Sequence, residues 1–144
     1  MDKLIIYTDG ASRGNPGKAS IGVMFCNNTG ETLKEYGQIL GEATNNEAEY
    51  QAVIFALKKA KALFGKEKIK KHQIEIRSDS QLLVSQLSGD YKVLEPRIQG
   101  FFMQIWNLKI DTGGVEFVLI PREENRQADR LANMALDKEI KTLF

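Results

Sequence analysis

Four carboxylates in this sequence occupy places where a purely structural residue would be apolar or neutral: Asp9, Glu49, Asp79 and Asp129. Asp9 closes the apolar run Leu4-Ile5-Ile6-Tyr7 and precedes Gly10. It therefore stands at a strand end, where sites in α/β sheets gather, although Asp-Gly is equally a turn signal. Glu49 lies near the start of a predicted helix. Positions i+4, i+7 and i+11 share a helix face, and from Glu49 these are Val53, Ala56 and Ala60. Glu49 thus projects from the core side, while Glu47, about 200° away, groups with Gln51 and Lys58. A carboxylate on the core side is costly unless a metal or hydrogen bonds compensate it, although an acid in a first helical turn is also favoured by the helix dipole. Asp79 sits between a strand and a helix and also reads as an N-cap. Asp129 edges the apolar face formed by Ala128, Leu131, Ala132, Ala135 and Leu136, where a solvated helix acid is the plain alternative. If the four converge, they cannot all remain ionised without a counter-charge. Hard oxygen donors of this kind suit Mg²⁺ or Mn²⁺. Two such ions ~3.5–4 Å apart form the clamp that supports phosphodiester cleavage.

The elements that must position these acids follow from patterning. Lys3 to Thr8 reads as a strand, followed by a Gly/Asn/Pro turn from Gly10 to Gly17. Ser20 to Cys26 and Thr32 to Ile39 are two further strands around the hairpin signal Asn27-Asn28-Thr29-Gly30. A long helix runs from Asn45 to Phe64 and stops at Gly65. Gln73 to Arg77 is a fourth strand, Asp79 to Leu87 a short helix ended by Gly89, and Pro96 opens a helix reaching Ile110. Val115 to Ile120 is the fifth strand, and Asn125 to Ile140 the last helix. The order βββ-α-β-α-α-β-α predicts an α/β fold with a mixed sheet and helices on its faces. Strand ends and helix starts would then meet at one sheet edge and bring the four acids together.

Composition narrows the class. The chain has 144 residues, 42% hydrophobic and 27% charged, and is read as one globular domain spanning 1–144. Its one cysteine, Cys26, lies in an apolar run with Ile21, Val23 and Phe25, so an internal disulfide is excluded and a buried hydrophobe is expected. No stretch approaches the ~20 apolar residues of a membrane span, and no leader pattern precedes Asp9. The expected compartment is the cytoplasm, with no membrane partner, and the chain is read as a monomer. Net charge is only +1, so any nucleic-acid partner must be held by a local site. The lysines Lys58, Lys59, Lys61, Lys66, Lys68, Lys70 and Lys71 form a basic cluster. They lie ~20 Å along the helix from Glu49 and read as a solvated helix end that complements the dipole.

Four runs together carry a resemblance. Tyr7-Thr8-Asp9-Gly10-Ala11-Ser12-Arg13-Gly14-Asn15-Pro16-Gly17, Thr44-Asn45-Asn46-Glu47-Ala48-Glu49, Ser78-Asp79-Ser80 and Pro121-Arg122-Glu123-Glu124-Asn125-Arg126-Gln127-Ala128-Asp129 resemble, in order and spacing, the four motifs of type 1 ribonucleases H. The resemblance covers essentially the whole chain. It implies a ribonuclease H-like fold: a five-stranded mixed sheet with the first three strands antiparallel, flanked by helices. It also implies endonucleolytic hydrolysis of the RNA strand of an RNA–DNA hybrid by two Mg²⁺ ions, with Mn²⁺ as a substitute, leaving 5′-phosphate and 3′-hydroxyl ends. Asp9, Glu49, Asp79 and Asp129 match the metal ligands and catalytic acids. Asn15, Asn45 and Asn46 match residues that hold the hybrid in its minor groove, and an amide can both donate to and accept from a 2′-hydroxyl. Ser12 and Gln81 are further substrate candidates. Thr44 matches a position that grips a DNA phosphate and reads equally as a helix N-cap.

The sequence also departs from the family pattern. Many members carry a histidine before the last acid. Here Arg122 stands in that loop, and arginine cannot act as a base near neutral pH; phosphate binding and a solvated loop charge remain its two readings. The single histidine, His72, reads as an exposed loop residue. Ser88 to Arg97 is too short for the basic, tryptophan-bearing handle of many members, and Trp106 falls inside a helix beside Phe102 and Ile105, where core packing is expected. This departure from the family pattern implies a weaker grip on the hybrid and less strict discrimination against double-stranded RNA.

Overall fold

The computed structural model describes residues 2–143, and side chains within 2–139. Strands β1 (Asp2–Gly14), β2 (Gly17–Cys26) and β3 (Thr32–Ala43) form an antiparallel meander. β4 (His72–Ser78) lies parallel to β1, and β5 (Val115–Leu119) parallel to β4, giving the sheet order β3-β2-β1-β4-β5. The helices are α1 (Asn45–Phe64), α2 (Lys66–Ile69), α3 (Gln81–Leu87), α4 (Pro96–Ile110) and α5 (Arg126–Leu143). This is the expected mixed sheet with its first three strands antiparallel. Among the described residues no helix is long and apolar enough to cross a membrane.

Local chemistry fixes the element bounds. α1 starts on a capping box: the Thr44 hydroxyl accepts from the Glu47 N–H at 3.1 Å, and the Glu47 carboxylate accepts from the Thr44 N–H at 2.8 Å. α1 ends where Gly65 takes φ 85, a left-handed value that glycine adopts without strain. Pro96 stands in the first turn of α4, where its missing N–H costs nothing.

Four readings are corrected, and two short elements are added. The segment Gly10 to Gly17 is not a turn throughout. β1 continues through Gly14, paired residue by residue with β2, and the reversal is confined to Asn15-Pro16. Gly10 serves close packing instead, because a Cβ there would lie 2.4 Å from the Glu49 backbone nitrogen of α1. Ser80, not Asp79, caps α3, its hydroxyl accepting from the Leu83 N–H at 3.2 Å. His72 is not a loop residue: it opens β4, half-buried, with its ring 4.6 Å from that of Phe64. Trp106 is exposed, because α4 meets α1 through Ile98 and Ile105, and one further residue turns a side chain ~100° outward. Finally, α2 and a 3₁₀ turn at Arg122–Glu124 were not anticipated.

The main core lies between the sheet and α1, with Leu4, Ile6, Ile21, Val23, Tyr50, Val53, Leu57, Ile74 and Ile76 all buried. α5 covers the opposite face. Asp9 and Gly10 are successive strand residues and so point to opposite faces. Gly10 meets α1, while Gly22, the cross-strand partner of Asp9, meets α5. Cys26 is buried, as expected.

Candidate active site

The close approach of two helices from opposite faces builds the site. At Gly10 the bare backbone lets the first turns of α1 lie against β1, which carries Glu49 to the sheet edge. At Gly22 a Cβ would stand 1.9 Å from the Ala128 carbonyl, so glycine there lets α5 settle on β2 and carries Asp129 in from the other side. β4 ends at Ser78, parallel to β1, and delivers Asp79 at the same edge. Because Ser80 performs the capping, the Asp79 carboxylate is not engaged with helix α3.

One carboxylate oxygen from each of Asp9, Glu49 and Asp79 lies within 4.8 Å of the others. Asp9 and Glu49 are buried. Asp129 sits within hydrogen-bonding range of Asp9 but is exposed and lies outside that tight group of three. All four acids line a cleft of about 530 Å³. Burial, then repulsion by Glu49 and Asp79, pushes the Asp9 carboxyl up to about 10. Burial likewise raises Glu49 to about 8, against the lowering influence of its bond with Asp9, the Gly10 N–H and the more distant Arg122 cation. The Glu49 Oε2 atom is buried and has no hydrogen-bond partner. Oxygen donors held together against their own repulsion, one of them unsatisfied, are the donor set a hard divalent cation takes.

The expected substrate-side residues divide. Ser12, Asn45, Asn46 and Arg122 line the cleft with the acids. The Asn46 Oδ1 atom is buried without a partner. Ser12 Oγ donates toward the Ala43 carbonyl at 2.8 Å. Arg122 is exposed at the rim, in the 3₁₀ turn. Asn15, Thr44 and Gln81 do not line the cleft. Asn15 accepts the Asn45 N–H at 3.0 Å and so ties the β1–β2 turn to α1, Thr44 serves the capping box, and Gln81 opens α3 exposed to solvent.

Two asparagines escaped the sequence reading. Asn125 is buried; its Nδ2 donates to the Thr8 carbonyl at 2.9 Å and to Asp79 Oδ2 at 3.2 Å. Asn133 lines the cleft and donates to the Asp129 carbonyl at 2.9 Å and to Asp129 Oδ1 at 3.2 Å. Asn133 was detectable as the i+4 neighbour of Asp129 on one helix face. Asn125 had no such signal, since its partners are distant in sequence.

Comparison with known proteins agrees with this arrangement. A family model described as reverse transcriptase-like matches residues 7–135. The chain is 41% identical to the ribonuclease HI of Halobacterium salinarum over 131 residues, covering 91% of this chain and 63% of that relative. It is 38% identical to a bifunctional protein of Mycobacterium tuberculosis, covering 94% of this chain but 36% of that relative. The chain thus spans less than two thirds of the length of these curated relatives. Among solved structures it is similar to an RNase H1 isolated from compost by a metagenomic approach, with 45% identity, a TM-score of 0.90 and coverage of 97% of this chain and 99% of that one. The crystal structure of the compost RNase H1 in complex with an RNA/DNA hybrid matches at 46% identity and a TM-score of 0.90, covering 95% of this chain and 99% of that one.

Proposed function

The chain belongs to the type 1 ribonuclease H family, and from that premise we propose that it is a metal-dependent endoribonuclease that hydrolyses the RNA strand of RNA–DNA hybrids. The observation that carries the reading is the group of buried Asp9 and Glu49 with half-buried Asp79, their ligand oxygens within 4.8 Å of one another. The hybrid complex of the compost relative supports the choice of substrate.

Asp9, Glu49, Asp79 and Asp129 would hold two Mg²⁺ ions, for which Mn²⁺ can substitute. When bound, such ions supply an activated water and stabilise the leaving 3′ oxygen, giving 5′-phosphate and 3′-hydroxyl ends. The protein's own contribution is positioning. β1, β4, α1 and α5 hold the acids at fixed separation, and no covalent protein nucleophile is required. Asn45 and Asn46 present amides at the cleft that can exchange hydrogen bonds with 2′-hydroxyls and base edges, with Ser12 beside them. Asn15 acts by bracing Asn45. Thr44 and Gln81 flank the path of the nucleic acid, and Arg122 takes a phosphate at the rim. The chain works as a single monomeric domain in the cytoplasm.

Cleavage of an end-labelled hybrid with Mg²⁺, with Mn²⁺ and with chelator tests this, with double-stranded RNA in parallel. Metal-dependent cutting of the hybrid RNA strand is expected. Equal cutting of both substrates would widen the substrate class, and no cutting by folded protein with either metal would overturn the enzymatic reading.

A further inference from the structure

We propose that Asn125 is a positioning residue for the carboxylate cluster, setting the separation of Asp79 from Asp9 and with it the affinity of the site for a divalent cation; the inference rests on the metal-binding reading above. Asn125 immediately precedes α5 and is 1% exposed. Its carbonyl accepts the Asp129 N–H at 3.2 Å, as the residue before a helix does. At that position an asparagine ordinarily turns its side-chain oxygen onto the N–H groups of the first turn. Here the side chain turns inward. Its Nδ2 donates to the Thr8 carbonyl and to Asp79 Oδ2, and its Oδ1 is buried with no partner.

The orientation of this amide is fixed by its neighbours. Both are acceptors, so a flipped amide would set oxygen against oxygen at both contacts. The residue therefore gives up a helix cap and leaves a buried oxygen unsatisfied, two costs that a purely stabilising asparagine would avoid. In return, one amide binds three segments of the site. It holds the peptide carbonyl immediately before Asp9, it holds the Asp79 carboxylate directly, and its backbone anchors the turn that presents Asp129. Without the donor, Asp79 loses this hydrogen bond while the repulsion from Asp9 and Glu49 remains. Groups that orient metal ligands in this way commonly govern metal affinity by ~10–100-fold.

The test is calorimetric titration of Mg²⁺ alone into chelator-stripped protein whose fold is verified by circular dichroism, with cleavage kinetics beside it. Asn125→Ala and Asn125→Ser are compared with wild type and with the exposed neighbour Arg126→Ala. Both Asn125 variants should bind Mg²⁺ ~10–100-fold more weakly, and raising Mg²⁺ should recover part of their kcat, while Arg126→Ala binds as wild type. Serine is well accepted before a helix, so Asn125→Ser carries the test if the alanine variant does not fold. A folded Asn125 variant with wild-type Mg²⁺ affinity overturns the proposal and leaves the metal reading standing. A wild-type protein that takes up no Mg²⁺ overturns the metal reading first, and this proposal with it.

Discussion

At the scale of single residues, the acids are held together at a cost that a retained proton or a bound cation relieves. Asp9 ordinarily loses its proton near 3.8 and in the fold keeps it up to about 10, through burial first and then repulsion by Glu49 and Asp79. Between those values the native metal-free protein binds more protons than the unfolded chain. Its stability is therefore highest below about pH 4 as far as this group is concerned, and it falls as pH rises toward 10. Asp9→Asn removes the titrating group. We expect the variant to lose hybrid cleavage while being more stable than wild type in chelator at alkaline pH, by roughly 1–2 kcal/mol. Its stability should also fall less steeply with pH, the remainder coming from Glu49. Thermal melts across pH in chelator decide the matter, and identical slopes for the two proteins would show that Asp9 is not strained. Asp9, Glu49 and Asp129 were readable from the sequence as misplaced acids, Glu49 and Asp129 because helical periodicity sets them on or beside an apolar face and Asp9 because it ends an apolar strand. Asp79 was grouped with them from its place between a strand and a helix, although a lone aspartate there also looks like a cap. Only the three-dimensional course of the chain shows Ser80 filling that role.

At the scale of elements, the sequence patterns located the strands and helices well and misjudged what the glycines do. α1 and α4 fall on the residues that capping and proline signals indicate. The run after Asp9 looked like a turn because Gly, Asn and Pro dominate it, yet Gly10 lies within a strand, and Gly22 on the next strand is the partner of Asp9. Their purpose is the absence of a side chain where a helix backbone passes, a reason that depends on tertiary packing and leaves no local pattern. Trp106 failed similarly: helical phase resolves neighbours one residue apart only once the partner helix is known. The glycines give a sharp expectation. Gly22→Ala would place a methyl 1.9 Å from the Ala128 carbonyl, so α5 must shift. The variant should lose ~1–3 kcal/mol of stability. At temperatures where it remains folded, kcat should fall by ~10²-fold, since displacement of a catalytic group by about 1 Å has that effect. Gly100, in the middle of α4 with nothing within 4 Å of its would-be Cβ, is the control. Gly100→Ala should stabilise by ~0.5–1 kcal/mol with activity unchanged. Equal activity in the Gly22 variant would mean that α5 need not sit close for Asp129 to serve.

At the scale of the whole molecule, charge distribution sets how the protein meets a polyanion. Net charge is +1, and Arg122 is the one cation lining the cleft among the described residues. The lysines at the far end of α1 are partly occupied elsewhere. Lys61 pairs with Asp111 at 2.9 Å, and the Lys59 ammonium stands 5.1 Å from the Tyr36 ring centroid. Arg13 pairs with Asp137 at 2.6 Å and Arg97 with Glu47, which binds two more cations into the fold's own ion pairs. Binding should then rest on the amides at the cleft and on the metal site more than on counterion release. Each phosphate neutralised contributes about −0.9 to the slope of log K against log salt on a duplex, so the slope for this protein should be no steeper than about −3. Fluorescence anisotropy of a labelled hybrid with the Asp9→Asn protein, over a range of monovalent salt, measures it without cleavage. A slope near −6 would mean that the lysine cluster reaches the nucleic acid after all. Lys66→Glu with Lys68→Glu would then flatten it, whereas under the expected mode the same pair leaves both slope and affinity where they were.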